Sequence, residues 1–248
     1  MLDLASTLSR MPEVRGPAPW AGYEYVKGWA VFGLPFDSGH VLALRVMPES
    51  SIAPYRSLYH RDPLGNWALY VDGPMVCACT RYYGAACSLT GHTRIQLEWT
   101  GPASLRVNMK HPPLDWTLTA TSDRRLDLIN AVNAVLPLSS WRSSLLLRVR
   151  ERLAKALGLG ELELSGITPS GDVETLMPEQ IYFIEESSAA LDGVELGRPI
   201  HLHENPGIWL VGCRNEPRQG TAQSPLPTDN AGILRRKGPW LRSWSWSI

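Results

Sequence analysis

Residues 93–121 read TRIQLEWTGPASLRVNMKHPPLDWTLTAT, and this stretch decides the fold class. In its first segment Ile95, Leu97 and Trp99 alternate with Arg94, Gln96 and Glu98. Thr100-Gly101-Pro102-Ala103 then supplies a turn. Next, Leu105, Val107 and Met109 alternate with Arg106, Asn108 and Lys110. After His111-Pro112-Pro113, Leu114, Trp116 and Leu118 alternate with Asp115, Thr117 and Thr119. Successive strand residues point to opposite faces. Period-two alternation broken by Gly/Pro turns therefore predicts an antiparallel meander with one wet face.

Sheet-like sequence begins near Trp20 and lasts to about Thr121. The period then changes. Leu126, Ile129, Val132 and Leu136 recur at helical spacing, with Ser122 or Asp123 as cap and Pro137 as stop. A second helix is predicted from about Ser140 to Leu157. Its apolar stripe is Trp141, Leu145, Leu146, Val149, Leu153 and Leu157, and Gly158 terminates it. Arg148, Arg152 and Lys155 fall on the opposite, solvated face. After Gly160 the period returns to two, with Leu162 and Leu164 alternating with Glu161 and Glu163. Further strands are expected at about 180–186, 199–203 and 208–213. The expected fold is mainly β (α+β). An antiparallel meander forms a curved sheet or barrel-like sandwich, with a two-helix insertion at about 123–158. Residues 1–19 read as an irregular arm, 20–213 as a single domain, and 214–248 as a basic, Trp-rich tail.

The 248-residue chain is 44% hydrophobic and 19% charged, which excludes a disordered class. It has ten tryptophans but only three phenylalanines, and Trp suits sheet cores, pocket walls and interfaces. The zero net charge is unevenly spread. Residues 214–248 hold six Lys/Arg and two Asp/Glu, so residues 1–213 carry −4. A mildly acidic body argues against nucleic acid as the partner. The start, MLDLASTLSRMPEVR, does not read as a signal peptide, and no apolar run is long enough to span a membrane. A cytoplasmic location with buried free thiols is the expectation for the four cysteines. Cys77-x-Cys79 is not the Cys-x-x-Cys of zinc or redox sites, and Cys87 and Cys213 add no ligand spacing.

The candidate chemistry lies at residues 55–83, which hold five Tyr, three Arg, one His and one Trp. Asp62-Pro63-Leu64-Gly65 fits a turn between two hairpin strands. Alternation puts Tyr55, Ser57, Tyr59 and Arg61 on one face, with Arg56, Leu58 and His60 on the other. Arg81 and Tyr83 share a face with Cys77 and Cys79 if 77–83 is a strand. The candidate ligand-binding residues are thus Tyr55, Tyr59, Arg61, Trp67, Arg81 and Tyr83. The candidates for acid/base work are His60, Tyr59 and Arg81. A phenol can donate to an oxyanion, an imidazole can shuttle a proton, and a guanidinium can hold a carboxylate. The same residue types also build ordinary sheet cores.

His201 and His203 would point together on a strand, as cupin-type metal sites require. The neighbouring Ile200 and Leu202 read as the buried face, which sends both histidines outward, so no metal is called. Phosphate loops, dinucleotide fingerprints and serine elbows are missing from the sequence, and no cofactor is called. The meander resembles calycin-type barrels in architecture alone, because Gly28-Trp29 does not meet their Gly-x-Trp signal. The leading expectation is binding of a small hydrophobic or amphipathic molecule in an aromatic-lined cavity. A cofactor-independent hydratase, isomerase or cyclase using the same cavity is the first alternative. Docking on a partner or a membrane surface through Trp240, Trp244, Trp246 and their basic neighbours is the second.

Overall fold

Segments of period two pair as two sheets, and the helical segments cover one of them. The computed structural model describes residues 2–75, 79–159, 163–200 and, by backbone alone, 208–216. A short helix, α1 (Leu4–Leu8), is capped by the Asp3 carboxylate, and β1 (Val14–Arg15) follows. β2 (Glu24–Pro35), β3 (Val41–Ser50), β4 (Tyr55–Arg61) and β5 (Trp67–Asp72) form an antiparallel meander. The turn between β4 and β5 is the expected one. The Gly65 N–H donates to the Asp62 carbonyl at 3.0 Å, and Asn66 N–H donates to Asp62 Oδ1 at 2.8 Å.

The expectation of a strand through residues 77–83 is corrected. Thr80–Tyr83 is a short helix, α2, followed by a 3-10 turn at Gly84–Ala86. The pattern CTRYYGAAC contains no clean alternation, and Tyr82 and Tyr83 are adjacent yet both buried, which a strand with one wet face does not allow. β6 (Leu89–His92) then adds parallel to β5.

The diagnostic stretch behaves as its alternation demands. β7 (Gln96–Trp99), β8 (Ser104–Lys110) and β9 (Pro113–Thr121) pair antiparallel. Leu105, Val107, Met109, Leu114, Trp116 and Leu118 are buried. On the wet face Arg106 holds Asp115 with two hydrogen bonds of 2.8 and 2.6 Å. α3 (Arg124–Val135) and α4 (Ser144–Ala156) follow, joined through a 3-10 segment at Leu138–Arg142. Asp123 caps α3 by accepting from the Arg125 and Leu126 N–H groups.

The remaining strands tie the molecule together. β10 (Ser165–Ile167) and β12 (Val194–Glu195) are short partners of β11 (Val173–Leu191), and β13 (Ile208–Glu216) lies between β2 and β11. The first half of the 19-residue β11 pairs with β13 in the larger sheet, and its second half pairs with β9 in the smaller one. Register shifts at Pro178/Gln180 and Ile184/Glu186 break the ladders on either side of the crossing, as bulges do where a strand bends. There the edge of β11 is satisfied by α3. Asn130 exchanges two hydrogen bonds with the Ile181 backbone (3.0 and 2.8 Å), and Asn133 donates to the Pro178 carbonyl (3.1 Å).

The described strands run in the order β6-β5-β4-β3-β2-β13-β11-β9-β8-β7, with no closed barrel among them. The chain is mainly β with two sheets and a few helices. One face of the larger sheet packs on the smaller sheet through Trp29, Val31, Leu44 and Leu58 against Val107, Trp116 and Leu118. Its other face packs under the helices, where Tyr55, Tyr59 and Trp67 meet Leu126, Trp141 and Leu147.

The expected stripe of α4 is also corrected. Leu147 and Ala154 point inward, while Leu145, Leu146, Val149 and Leu153 are exposed. Arg150 and Glu151 share the inward side. The Arg150 guanidinium lies 3.9 Å from the Trp141 ring centre, and Glu151 accepts from the Leu164 N–H at 2.9 Å. Of the stripe, Trp141 is buried and Leu157 packs against the core, but Trp141 precedes the α-helix in the 3-10 segment. Among the described residues no helix is long and apolar enough to cross a membrane.

Candidate functional site

Charged and polar side chains are gathered on the helix-covered face of the larger sheet. The run Val41–Met47 (VLALRVM) contains one charge, Arg45. Alternation on β3 aims it to the same side as Ala43 and Met47, and its side chain is buried. Its guanidinium carbon lies 4.5 Å from the centre of the Tyr83 ring, 5.3 Å from Tyr59 and 5.8 Å from Phe32. The three rings cage the cation with their electron-rich faces, an attraction that grows as water is excluded. The counter-charge is Glu174 at the start of β11, also buried, with its Oε1 3.9 Å from Arg45 Nη1. Tyr83 Oη donates to Glu174 Oε2. The Tyr59 and Tyr83 rings meet edge to face, 6.0 Å apart at 89°.

Cys79, at the start of α2, completes the cluster beside Ser57, Tyr59 and Arg45. Burial pushes its thiol up, against the opposing pull of the nearby guanidinium. The thiol therefore stays protonated near neutral pH and is a poor nucleophile. Burial first, and then the neighbouring Cys79, hold the Tyr59 phenol well above its usual range. Tyr59 is thus available as a hydrogen-bond donor, not as a base.

α2 is fastened over this face by two carboxylates. Glu24 on β2 and Glu174 on β11 sit in register on either side of Asn215 of β13. Tyr83 reaches Glu174, and Arg81 pairs with Glu24 at 2.7 Å. The Tyr82 carbonyl accepts from the Ser170 N–H at 3.1 Å.

Of the candidates taken from residues 55–83, Tyr55, Tyr59, Trp67 and Tyr83 lie together in this cluster. Arg61 does not reach the Arg45–Glu174 pair. Its guanidinium folds back over the turn, and a Cβ at Gly65 would sit 3.4 Å from Arg61 Nη2. Arg81 is half exposed on the outside, over the Tyr82 ring and against Glu24. His60 sits on the opposite face of β4, where its Nε2 is 2.8 Å from His40 Nδ1. Burial, followed by the adjacent His40, lowers His60 to about 4. His60 and Tyr59 are therefore separated by the sheet. His201, His203, Cys77 and the 217–248 tail lie outside the described residues.

Arg45, Glu174 and Phe32 were not among the sequence candidates. Arg45 did leave a signal, as a lone cation on the alternating face of an apolar strand. Glu174 left none, because its partner is 129 residues away in sequence. Among the described residues no cluster of three His, Cys, Asp or Glu side chains is arranged to hold a metal ion. No protein-family model, no curated protein and no solved structure matches this chain.

Proposed function

We propose that this protein binds a small amphipathic molecule on the helix-covered face of its larger sheet. The observation that supports this reading is the convergence of Arg45, Glu174, Tyr59 and Tyr83 inside a mainly hydrophobic layer. Replacing a buried ion pair by apolar side chains is often neutral or stabilising, so such a pair is weakly explained by stability. With Arg45 neutralised by Glu174 and Tyr83 engaged by the same carboxylate, the Tyr59 side of the cluster suits an uncharged carbonyl or hydroxyl end, and the neighbouring Tyr55 and Trp67 rings suit an apolar body. The acid/base alternative is less well supported, because His60 faces the other way and the Cys79 thiol is held protonated.

Native mass spectrometry of protein isolated from its own host is the direct test. A small molecule is expected to co-purify with the wild-type chain. It should be lost from the Arg45→Met variant while circular dichroism shows an intact fold. Tryptophan quenching across a panel of apolar ketones, alcohols and carboxylic acids gives the second readout. No co-purifying mass, together with no quenching by any member of that panel, would overturn the reading.

A further inference from the structure

Helices α3 and α4 each turn an apolar stripe away from the sheet they cover. On α3 these residues are Leu128, Val132 and Val135, and on α4 Leu145, Val149 and Leu153, with exposures from 47% to 80%. Three- and four-residue spacing puts each set on one helical face. The helices cannot roll to bury these faces without breaking their anchors. Asn130 and Asn133 are bonded to the β11 backbone, Arg150 stacks on Trp141, and Glu151 holds the Leu164 N–H.

Charge says what covers the stripes. Residues 123–158 contain seven Lys/Arg and three Asp/Glu, a net +4. The rest of residues 1–213 contains eleven basic and nineteen acidic residues, a net −8. Arg148, Arg152 and Lys155, all exposed, run along one flank of the α4 stripe. A second copy packed antiparallel on the α4 stripe about a two-fold axis would set this basic flank against itself, with like charges facing. A bilayer bearing anionic head groups satisfies both halves of the pattern, with the leucines in the acyl boundary and the cations at the phosphates. We propose that the α3–α4 layer docks flat on an anionic membrane surface.

Vesicle flotation of the full-length chain tests this, using phosphatidylcholine alone and phosphatidylcholine mixed with phosphatidylglycerol. The wild-type chain is expected to float with the mixed vesicles alone, and less so as salt is raised. L145Q/V149Q/L153Q should lower the partition at least about tenfold. R148E/R152E/K155E should abolish it. All six positions are exposed, and circular dichroism of each variant checks that the fold is kept. The variant W240S/W244S/W246S separates the contribution of the C-terminal residues and should still float. The proposal fails if the wild-type chain does not bind mixed vesicles, or if only the tryptophan variant loses binding. It fails equally if light scattering shows a dimer that the glutamine variant dissolves while vesicles bind neither form.

Discussion

Removing the Glu174 carboxylate would leave the Arg45 guanidinium among aromatic rings without that counter-charge, and would take the acceptor from Tyr83. Glu174→Leu is therefore expected to cost about 3 kcal/mol, and the R45M/E174L pair to recover much of it. Urea denaturation of the four members of the cycle checks this. Equal losses in the single and double variants would show that the pair is not the unit. His60 supplies a second expectation. Burial and His40 hold it at about 4, below the value near 6.5 of an unfolded chain. The unfolded state then binds more protons between those values, so stability is complete above pH ~6.5 and falls as the pH drops towards ~4. Thermal melts across that window should show the decline, and His60→Gln should flatten it.

Among the elements, the β2–β3 pair depends on a glycine. β2 and β3 shift register between Lys27 and Trp29, and a Cβ at Gly28 would sit 1.9 Å from the Val46 carbonyl oxygen. The obstacle is backbone at the centre of a sheet, so Gly28→Ala should destabilise by about 3 kcal/mol or more, read as a lower urea midpoint. Helix α3 makes a smaller demand. Loss of the Asp123 cap in Asp123→Ala should cost about 1 kcal/mol, while Asp123→Ser should keep most of it. An unchanged melting temperature for the alanine variant would mean that α3 is held by Asn130, Asn133 and Leu126 alone.

For the whole molecule, β11 belongs to both sheets, and Trp116 of the smaller sheet is fully buried and donates to Ser187 Oγ at 2.9 Å. With one strand common to both, neither sheet is expected to unfold without the other. Tryptophan fluorescence and far-ultraviolet dichroism should report a single coincident urea transition. Trp116→Ala should shift it by about 3–5 kcal/mol without splitting it. Two separated transitions would divide the larger sheet from the smaller.

Local pattern was enough for much of this. Alternation over 93–121 placed three strands and the inward face of each, fully buried in β8 and β9 and half-buried at Leu97 and Trp99 in β7. The shift to helical spacing located α3 and α4, and Asp62–Gly65 marked its turn. These follow from backbone periodicity and turn chemistry, which act between neighbours along the chain. What neighbours do not carry was decided by tertiary packing. The apolar stripe of α4 names an amphipathic helix but not the side on which its core lies, and the Trp141 stack and Leu164 contact put it on the other side. Residues 79–83 carry no clean period of their own, and the groups that Arg81 and Tyr83 of this helix bond, Glu24 and Glu174, lie far away in sequence. Arg45 announced a cation on an apolar face, yet only the fold brought Glu174 across β2 and β13 to meet it. Periodicity fixes which way a side chain leaves the backbone. What it meets there is set by elements far away in sequence, and the candidate site is made of such meetings.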